Sequence, residues 1–312
     1  MSLVQDTGMP TRYIFVVGVS RSGTTLMRRI LNSSNQIAIT DENHFLGHLL
    51  PAEGARQQFR KLGSLSNDDN VRRLVEYIYS GEFEKRCTKY RDMSYHWQWI
   101  IDWVDKEVFL QRILASDRSE RALFTVMMQV FAEHFDAAIA GEKTPAHLRY
   151  VPTLMEWFPD GKVIHMLRDP RAIFISELRR RKAAPLSLPF KQLRRVDFFF
   201  KLYIVLQTTV VWLESALRYT AYKRRYPDRY YPLQFERLVN QPEDQIRQLC
   251  DFLEIDFQEK MLKQQVVSKG FQLGSVGFDA EAATRWQKHI DSWEDMWFRF
   301  WLGKYLREFG YT

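Results

Sequence analysis

"YIFVVGVSRSGTTLMRRILNSS", Tyr13–Ser34, is the stretch whose reading decides the fold. It opens on an apolar, β-branched run that predicts a strand over Tyr13–Val17. A short loop of Gly, Ser, Arg and Thr follows, and Thr24–Leu31 then reads as a helix. Gly18 opens the loop and Gly23 closes it. Glycine tolerates positive φ and lets a ligand approach the backbone closely. Amides at the start of the helix then face whatever occupies the loop, with the positive end of the helix dipole behind them. Arg21, Thr24 and Thr25 add side-chain donors, so the segment is a cradle for a phosphate-like anion.

The loop comes close to G-x-x-x-x-G-K-[ST], but Thr24 stands where that pattern has lysine. In nucleoside triphosphatases that lysine reaches the β- and γ-phosphates and the next hydroxyl holds magnesium. Here the cation moves back into the loop as Arg21. No apolar run ending in aspartate supplies a second magnesium ligand. A phosphotransferase or triphosphatase is therefore the weaker alternative, and a binding protein that has lost its chemistry is another.

The chain of 312 residues is 46% hydrophobic, with a net charge of +7 and 2 cysteines. That length suits a substantial α/β core. The positive balance suits anionic ligands, but basic residues are not gathered in one tail, so nucleic acid is not called. Cys87 and Cys250 make no disulfide framework and no metal-ligand spacing, and both are expected to be inert core thiols. No signal peptide is visible, and "LYIVLQTTVVWLESAL" (Leu202–Leu217) is broken by Gln207, Thr208, Thr209 and Glu214. A span needs roughly 20 apolar residues, so that segment is expected to be a buried core helix. The expectation is a cytoplasmic protein without a membrane span, with homo-oligomerisation left open.

Further strands are predicted at Ile37–Thr40, Val163–Leu167 and Tyr230–Phe235, separated by helical patterns. Strand–helix alternation predicts an α/β fold, a parallel sheet flanked by helices. Without repeats or long linkers, residues 1–312 are expected to form one domain. Residues 52–140 read as a mainly helical insertion on the acceptor side. Its aromatics, as in "MSYHWQWIIDWVDKEVF" (Met93–Phe109), suit either packing or an acceptor-binding cap.

"GKVIHMLRDPRAIFISELRRR" (Gly161–Arg181) forms a second anion site. Arg168 sits at the carboxyl edge of a strand, where open parallel sheets bind ligands. Asp169–Pro170 is a helix start, and Ser176 lies two turns inside. A guanidinium suits phosphate through paired hydrogen bonds. The basic run Arg179–Lys182 fits an anionic acceptor or a solvated helix face equally.

Together, "SRSGTT" and "RDPRAIFIS", with Arg168 and Ser176 eight apart, resemble the two nucleotide motifs of sulfotransferases that use 3′-phosphoadenosine 5′-phosphosulfate (PAPS). "DENHF" (Asp41–Phe45), Gly141–Arg171, Leu233–Ile255 and Gly277–Ile290 extend the resemblance over most of the chain outside the helical middle. It implies a P-loop-like sulfotransferase fold. It also implies that Arg21, Ser22, Gly23, Thr24 and Thr25 hold the 5′-phosphosulfate, with Arg168 and Ser176 on the 3′-phosphate. Such a donor has no γ-phosphate for a lysine to reach. Its sulfuryl group carries less charge than a phosphoryl dianion, so no metal is required. Ser275 and Arg285 match loosely as residues closing over the nucleotide.

The acceptor must lose a proton, so a base is needed within hydrogen-bond reach. Glu42 follows a predicted strand and resembles the catalytic glutamate of the branch that sulfates protein tyrosines and glycans. His44 is an alternative base, and Asp41 is another or a helix cap. The cytosolic steroid and phenol branch is less similar. Its loop lysine is replaced by Arg21, and of its R-K-G-x-x-G-D-W motif only "SKG" (Ser268–Gly270) is faintly present. Lys143, in "EKTP", is the candidate for stabilising the leaving phosphate, or else an exposed loop lysine. Glu236 is expected to pair with an arginine structurally. A small-molecule, glycan or peptide acceptor all fit.

Overall fold

The computed structural model of the chain describes residues 12–47, 54–83, 97–183, 192–264 and 276–311. Ser275, Cys87 and Ser268–Gly270 lie outside the described residues. Strands β1 (Arg12–Gly18), β2 (Ile37–Thr40), β3 (Ile139–Lys143), β4 (Lys162–Leu167) and β5 (Tyr230–Gln234) form one sheet of order β2-β3-β1-β4-β5. The pairs β2–β3 and β4–β5 are parallel, with Ile37 opposite Ile139 and Val163 opposite Tyr230. Helices connect the strands: α1 (Thr24–Asn32), α2 (Ala55–Arg60), α3 (Asp68–Tyr79), α4 (Gln98–Trp103), α5 (Lys106–Ala115) and α6 (Glu120–His134) come before β3. Then come α7 (Val151–Trp157), α8 (Pro170–Ala183), α9 (Asp197–Arg225), α10 (Phe235–Asn240), α11 (Pro242–Leu253) and α12 (Ser292–Glu308). This is the α/β architecture the sequence predicts, with the helical middle at α2–α6.

Four strands fall where the sequence places them; β3 does not. "IAGEK" carries Gly, Glu and Lys, types depleted in strands, and "EKTP" reads as loop. Yet all five residues are buried. Gly141 is the reason the strand fits: a Cβ there would lie 2.0 Å from the carbonyl oxygen of Ile14. Lys143 is consequently the last residue of a strand and 1% exposed, not an exposed loop lysine.

The residues fall into two compact units, one of residues up to Phe15 with Leu31–Lys162, the other of Val16–Ile30 with residues from Val163 onward. In the first, Phe124 of α6 stacks on Phe45 with centroids 4.8 Å apart, and Trp97 and Phe109 are fully buried. For those two aromatics the packing role holds. In the second, α8, α9 and α12 enclose a core containing Phe174, Phe200, Ile204, Trp212, Phe298 and Leu302. Burying each such side chain contributes about 1.5–3 kcal/mol.

Helix α9 spans 29 residues, well beyond Leu202–Leu217, and is long and apolar enough by length and composition to cross a membrane. The expected core helix is buried on one face only, since Leu206, Val210 and Leu217 are exposed. In the basic run after Ser176, Arg180 and Arg181 both grip Glu177, at 2.7 and 2.6 Å. Burial works to raise that carboxyl, but the two guanidiniums hold it at about 2. Lys182 pairs with Asp197 at 3.0 Å. Much of the run is thus an internal ion cluster. Cys250 is buried and free.

Candidate active site

In the second unit the loop after β1 is wound tightly. The Ser22 amide donates to the Val19 carbonyl at 3.0 Å, and Met27 donates back to Gly23 at 3.0 Å as α1 begins. Gly18 (φ 154°) and Gly23 (φ 98°) leave no room for a side chain. A Cβ would lie 2.6 Å from the Met166 carbonyl oxygen in the first case and 2.5 Å from the Phe235 ring in the second. Arg21 holds φ 73°, a left-handed conformation costly for a non-glycine residue and one that turns successive amides into an anion-binding concavity. Ser22 is fully buried and its Oγ has no hydrogen-bond partner among the described residues. A buried polar atom without a partner calls for a ligand or water. These features fit a phosphate group held by Ser22, Gly23, Thr24 and Thr25. Thr24 is buried and Thr25 exposed at the first turn of α1.

The second arginine adjoins this loop. Arg168 Nη1 donates to the Arg21 carbonyl at 3.0 Å, and Nη2 donates to the Ala282 carbonyl at 2.9 Å. Its guanidinium lies 4.0 Å above the Phe235 ring. Burial pushes its pKa down to about 10, with Glu236 opposing and Arg21 adding to the fall. A desolvated cation of this kind is stabilised by an incoming anion. Ser176 Oγ accepts from Arg21 Nε at 2.9 Å. The structure therefore brings Arg21, Arg168 and Ser176 together.

Supporting groups set this geometry. Asp169 caps α8 by accepting the Arg171 amide at 2.8 Å, and Pro170 occupies the first helical position. Arg171 binds Asp169, reaches Asp295 at 3.0 Å and covers the Trp286 ring at 4.2 Å. Trp212 Nε1 donates to the Arg168 carbonyl at 2.8 Å. Glu236 accepts the Asp169 backbone N–H at 2.9 Å and also acts electrostatically on Arg168. Arg285 is held by Asp279 at 2.8 Å, three residues beyond the carbonyl that binds Arg168.

In the first unit, Glu42 follows β2 in an extended loop. Lys143 Nζ lies 2.6 Å from Glu42 Oε1 and 2.7 Å from Asp41 Oδ1. His44 Nε2 lies 3.6 Å from Glu42 Oε2. Burial acts to raise the Glu42 carboxyl, but Lys143 and His44 outweigh it and hold the group below the ordinary carboxylate range. Asp41 caps no helix: its carboxylate accepts the Glu42 amide at 2.9 Å, because the chain stays non-helical through Gly47.

A buried network that the sequence reading missed carries this loop. His147 Nδ1 meets Glu142 Oε1 at 2.5 Å, and its Nε2 accepts the Leu46 amide at 3.1 Å. The Asn43 amide donates to Thr144 Oγ1, and its side chain to Glu142 Oε2 at 3.3 Å. Trp97 Nε1 donates to the Asn43 carbonyl at 3.0 Å. Because Nε2 accepts, the neutral imidazole carries its proton on Nδ1 and donates it to Glu142. The only sequence signal was two charged or titratable residues flanking "KTPA".

Among the described residues no group of three or more His, Cys, Asp or Glu side chains is placed to hold a metal.

Comparison with known proteins follows the same outline. A "Putative protein-tyrosine sulfotransferase" of Caenorhabditis briggsae is 23% identical over 288 residues, covering 90% of this chain and 80% of that one. "Protein-tyrosine sulfotransferase A" of Caenorhabditis elegans is 24% identical over 266 residues. That alignment takes in 85% of this chain and 56% of the relative, so the chain spans little more than half of that protein's length. The solved sulfotransferase domain of the Synechococcus PCC 7002 olefin synthase superposes with a TM-score of 0.53 at 19% identity, over 91% of this chain and 90% of that one; it shares the fold. The model of the family described as "Sulfotransferase family" matches residues 13–259. That match runs from β1 past α11, through both anion loops and Glu42, and by its extent the chain belongs to the sulfotransferase family and is a sulfotransferase enzyme.

Proposed function

We propose that the chain transfers the sulfuryl group of 3′-phosphoadenosine 5′-phosphosulfate to the phenolic hydroxyl of a tyrosine in a peptide or protein. The observation that carries the donor assignment is the linkage of Arg21, Arg168 and Ser176 beside a fully buried Ser22 Oγ without a partner among the described residues. One cationic surface with two anion positions suits a nucleotide phosphorylated at both ends. In this reading the loop Arg21–Thr25 binds the 5′-phosphosulfate, Arg168 and Ser176 bind the 3′-phosphate, and Arg285 closes over the nucleotide.

The acceptor assignment draws on the two relatives named for protein-tyrosine sulfation, and on the chemistry of Glu42. A carboxylate held at low pKa is a weak base, and general-base efficiency falls as the gap to the substrate proton widens. A phenol ionises near pH ~10, far more readily than an alkanol, and so suits such a base. As the phenolic oxygen bonds to sulfur, its proton passes to Glu42. The S–O bond to the 5′-phosphate breaks, its electrons stay on that phosphate, and Lys143 and Arg21 offset the developing charge.

Calorimetry separates this donor from the phosphotransferase alternative. Adenosine 3′,5′-bisphosphate is expected to bind, and ATP with magnesium to bind weakly or not at all; the reverse order overturns the donor assignment. Transfer of labelled sulfate to tyrosine peptides but not to serine peptides or sugars tests the acceptor.

A further inference from the structure

Helix α9 has two apolar faces, and the fold uses one. Phe200, Ile204, Val205 and Trp212 enter the core of the second unit, together with Phe298 and Leu302 of α12. On the other face Leu206, Val210 and Leu217 point to solvent, with Val210 65% exposed. The neighbouring α12 repeats the pattern: Met296, Phe300 and Trp301 are exposed, Phe300 at 79%.

These two apolar rows join into one surface. Trp297 Nε1 donates to Thr209 Oγ1 at 3.1 Å, one residue from Val210. The Trp297 ring lies 5.7 Å from that of Trp301, which in turn lies 5.4 Å from Phe300. A continuous exposed patch of large apolar side chains on a folded chain marks an interaction site.

The edge of the patch is cationic. Exposed Lys223, Arg224 and Arg225 end α9, and exposed Lys304 and Arg307 follow Trp301 on α12. An apolar face of aromatic and aliphatic residues bordered by Lys and Arg is the pattern of helices that lie in a membrane interface. The long cationic side chains reach to the headgroups while their stems cover apolar surface. A second copy of the chain would instead bring this positive rim against like charge. Although α9 is long and apolar enough to cross a bilayer, its other face is held in the core, so it lies on the surface rather than through it.

We propose that the outer face of α9 and α12 docks on an anionic lipid surface, with Phe300, Trp301 and Val210 entering the interface and Lys304 and Arg307 at the headgroups. This concerns where the enzyme works and is independent of its donor and acceptor.

The test is co-sedimentation of the full chain with vesicles of phosphatidylcholine containing phosphatidylserine, beside vesicles of phosphatidylcholine alone. The chain is expected to bind the anionic vesicles, and high salt to weaken that binding. Lys304→Ala with Arg307→Ala lowers affinity by about 25-fold, at about fivefold per charge. Phe300→Ser with Trp301→Ser lowers it tenfold or more, while the far-UV circular dichroism of the chain stays unchanged. Val210→Ser with Leu217→Ser provides a second apolar pair should the first impair folding. Absence of vesicle binding, equal binding to neutral vesicles, or binding indifferent to all three pairs overturns the proposal. So does self-association, abolished by the same substitutions, in a chain that ignores vesicles; the patch would then belong to a second copy.

Discussion

Arg168 donates from Nη1 to the backbone carbonyl of Arg21 at 3.0 Å, across 147 positions of sequence. The contact holds the loop after β1 against the start of α8. It also fixes Arg21 in its left-handed conformation, from which its side chain reaches Ser176. The loop after β1 and the start of α8 are therefore one connected structure.

Ser176→Ala tests that connection with little risk to folding. The substitution removes one hydroxyl from a partly exposed position and leaves Arg168 in place. Losing a hydrogen bond of this kind costs about 1 kcal/mol, so adenosine 3′,5′-bisphosphate is expected to bind roughly fivefold more weakly by calorimetry. Adenosine 5′-phosphate, which lacks the second phosphate, is expected to bind both proteins alike. An equal loss for both nucleotides would remove Ser176 from the 3′ site.

Gly141→Ala tests the tight seat of β3. The added methyl meets the Ile14 carbonyl at 2.0 Å, with the Ile39 side chain at 2.6 Å, and backbone cannot give way as a side-chain tip can. Overpacking a core costs about 1–3 kcal/mol, and this position falls at the upper end or beyond. Urea unfolding is expected to show a clearly lowered midpoint, or the variant fails to fold. An unchanged midpoint would mean that β3 is not held against β1 as described.

Four strands were legible because Tyr13–Val17, Ile37–Thr40, Val163–Leu167 and Tyr230–Phe235 concentrate β-branched and aromatic residues. The fifth was hidden because Glu142 and Lys143 look like surface residues until their partners are known. Those partners, His147, Asn43, Asp41 and Glu42, come from other elements of the fold. The tight loop after β1 and the start of α8 at Asp169–Pro170 were legible in their residue types. The conformation of Arg21 was not, because nothing local marks an arginine for positive φ. Helix α9 misled for the opposite reason: its apolar residues surround the axis, so composition could not tell a buried helix from one with an exposed face.

His147→Ala removes the pivot of the network under Glu42. It strands a buried Glu142 oxygen and the Leu46 amide, at about 1–3 kcal/mol for each group left without a partner. Thermal unfolding is expected to move down by several degrees. Activity should fall through kcat, since the loop carrying Glu42 loses its support, while binding of adenosine 3′,5′-bisphosphate is kept. A variant with unchanged kcat would limit His147 to a structural role.

Glu42→Gln decides which group takes the proton. Burial alone would raise the Glu42 carboxyl, but Lys143 and His44 overcome it and keep the folded value below the unfolded one. With a depressed folded pKa, the ion pair stabilises the protein above the unfolded value, about 4.3, and this contribution is lost as pH falls through the lower folded value. Glu42 therefore stays ionised at every pH at which the enzyme is assayed. The wild-type rate should show no loss from protonation of Glu42 between neutral pH and about pH 5. Glutamine keeps the shape and an acceptor for Lys143 but is not a base, so kcat should fall about 100- to 10,000-fold with nucleotide binding intact. A kcat little changed in Glu42→Gln would remove Glu42 as the base and leave the proton to His44 or Asp41.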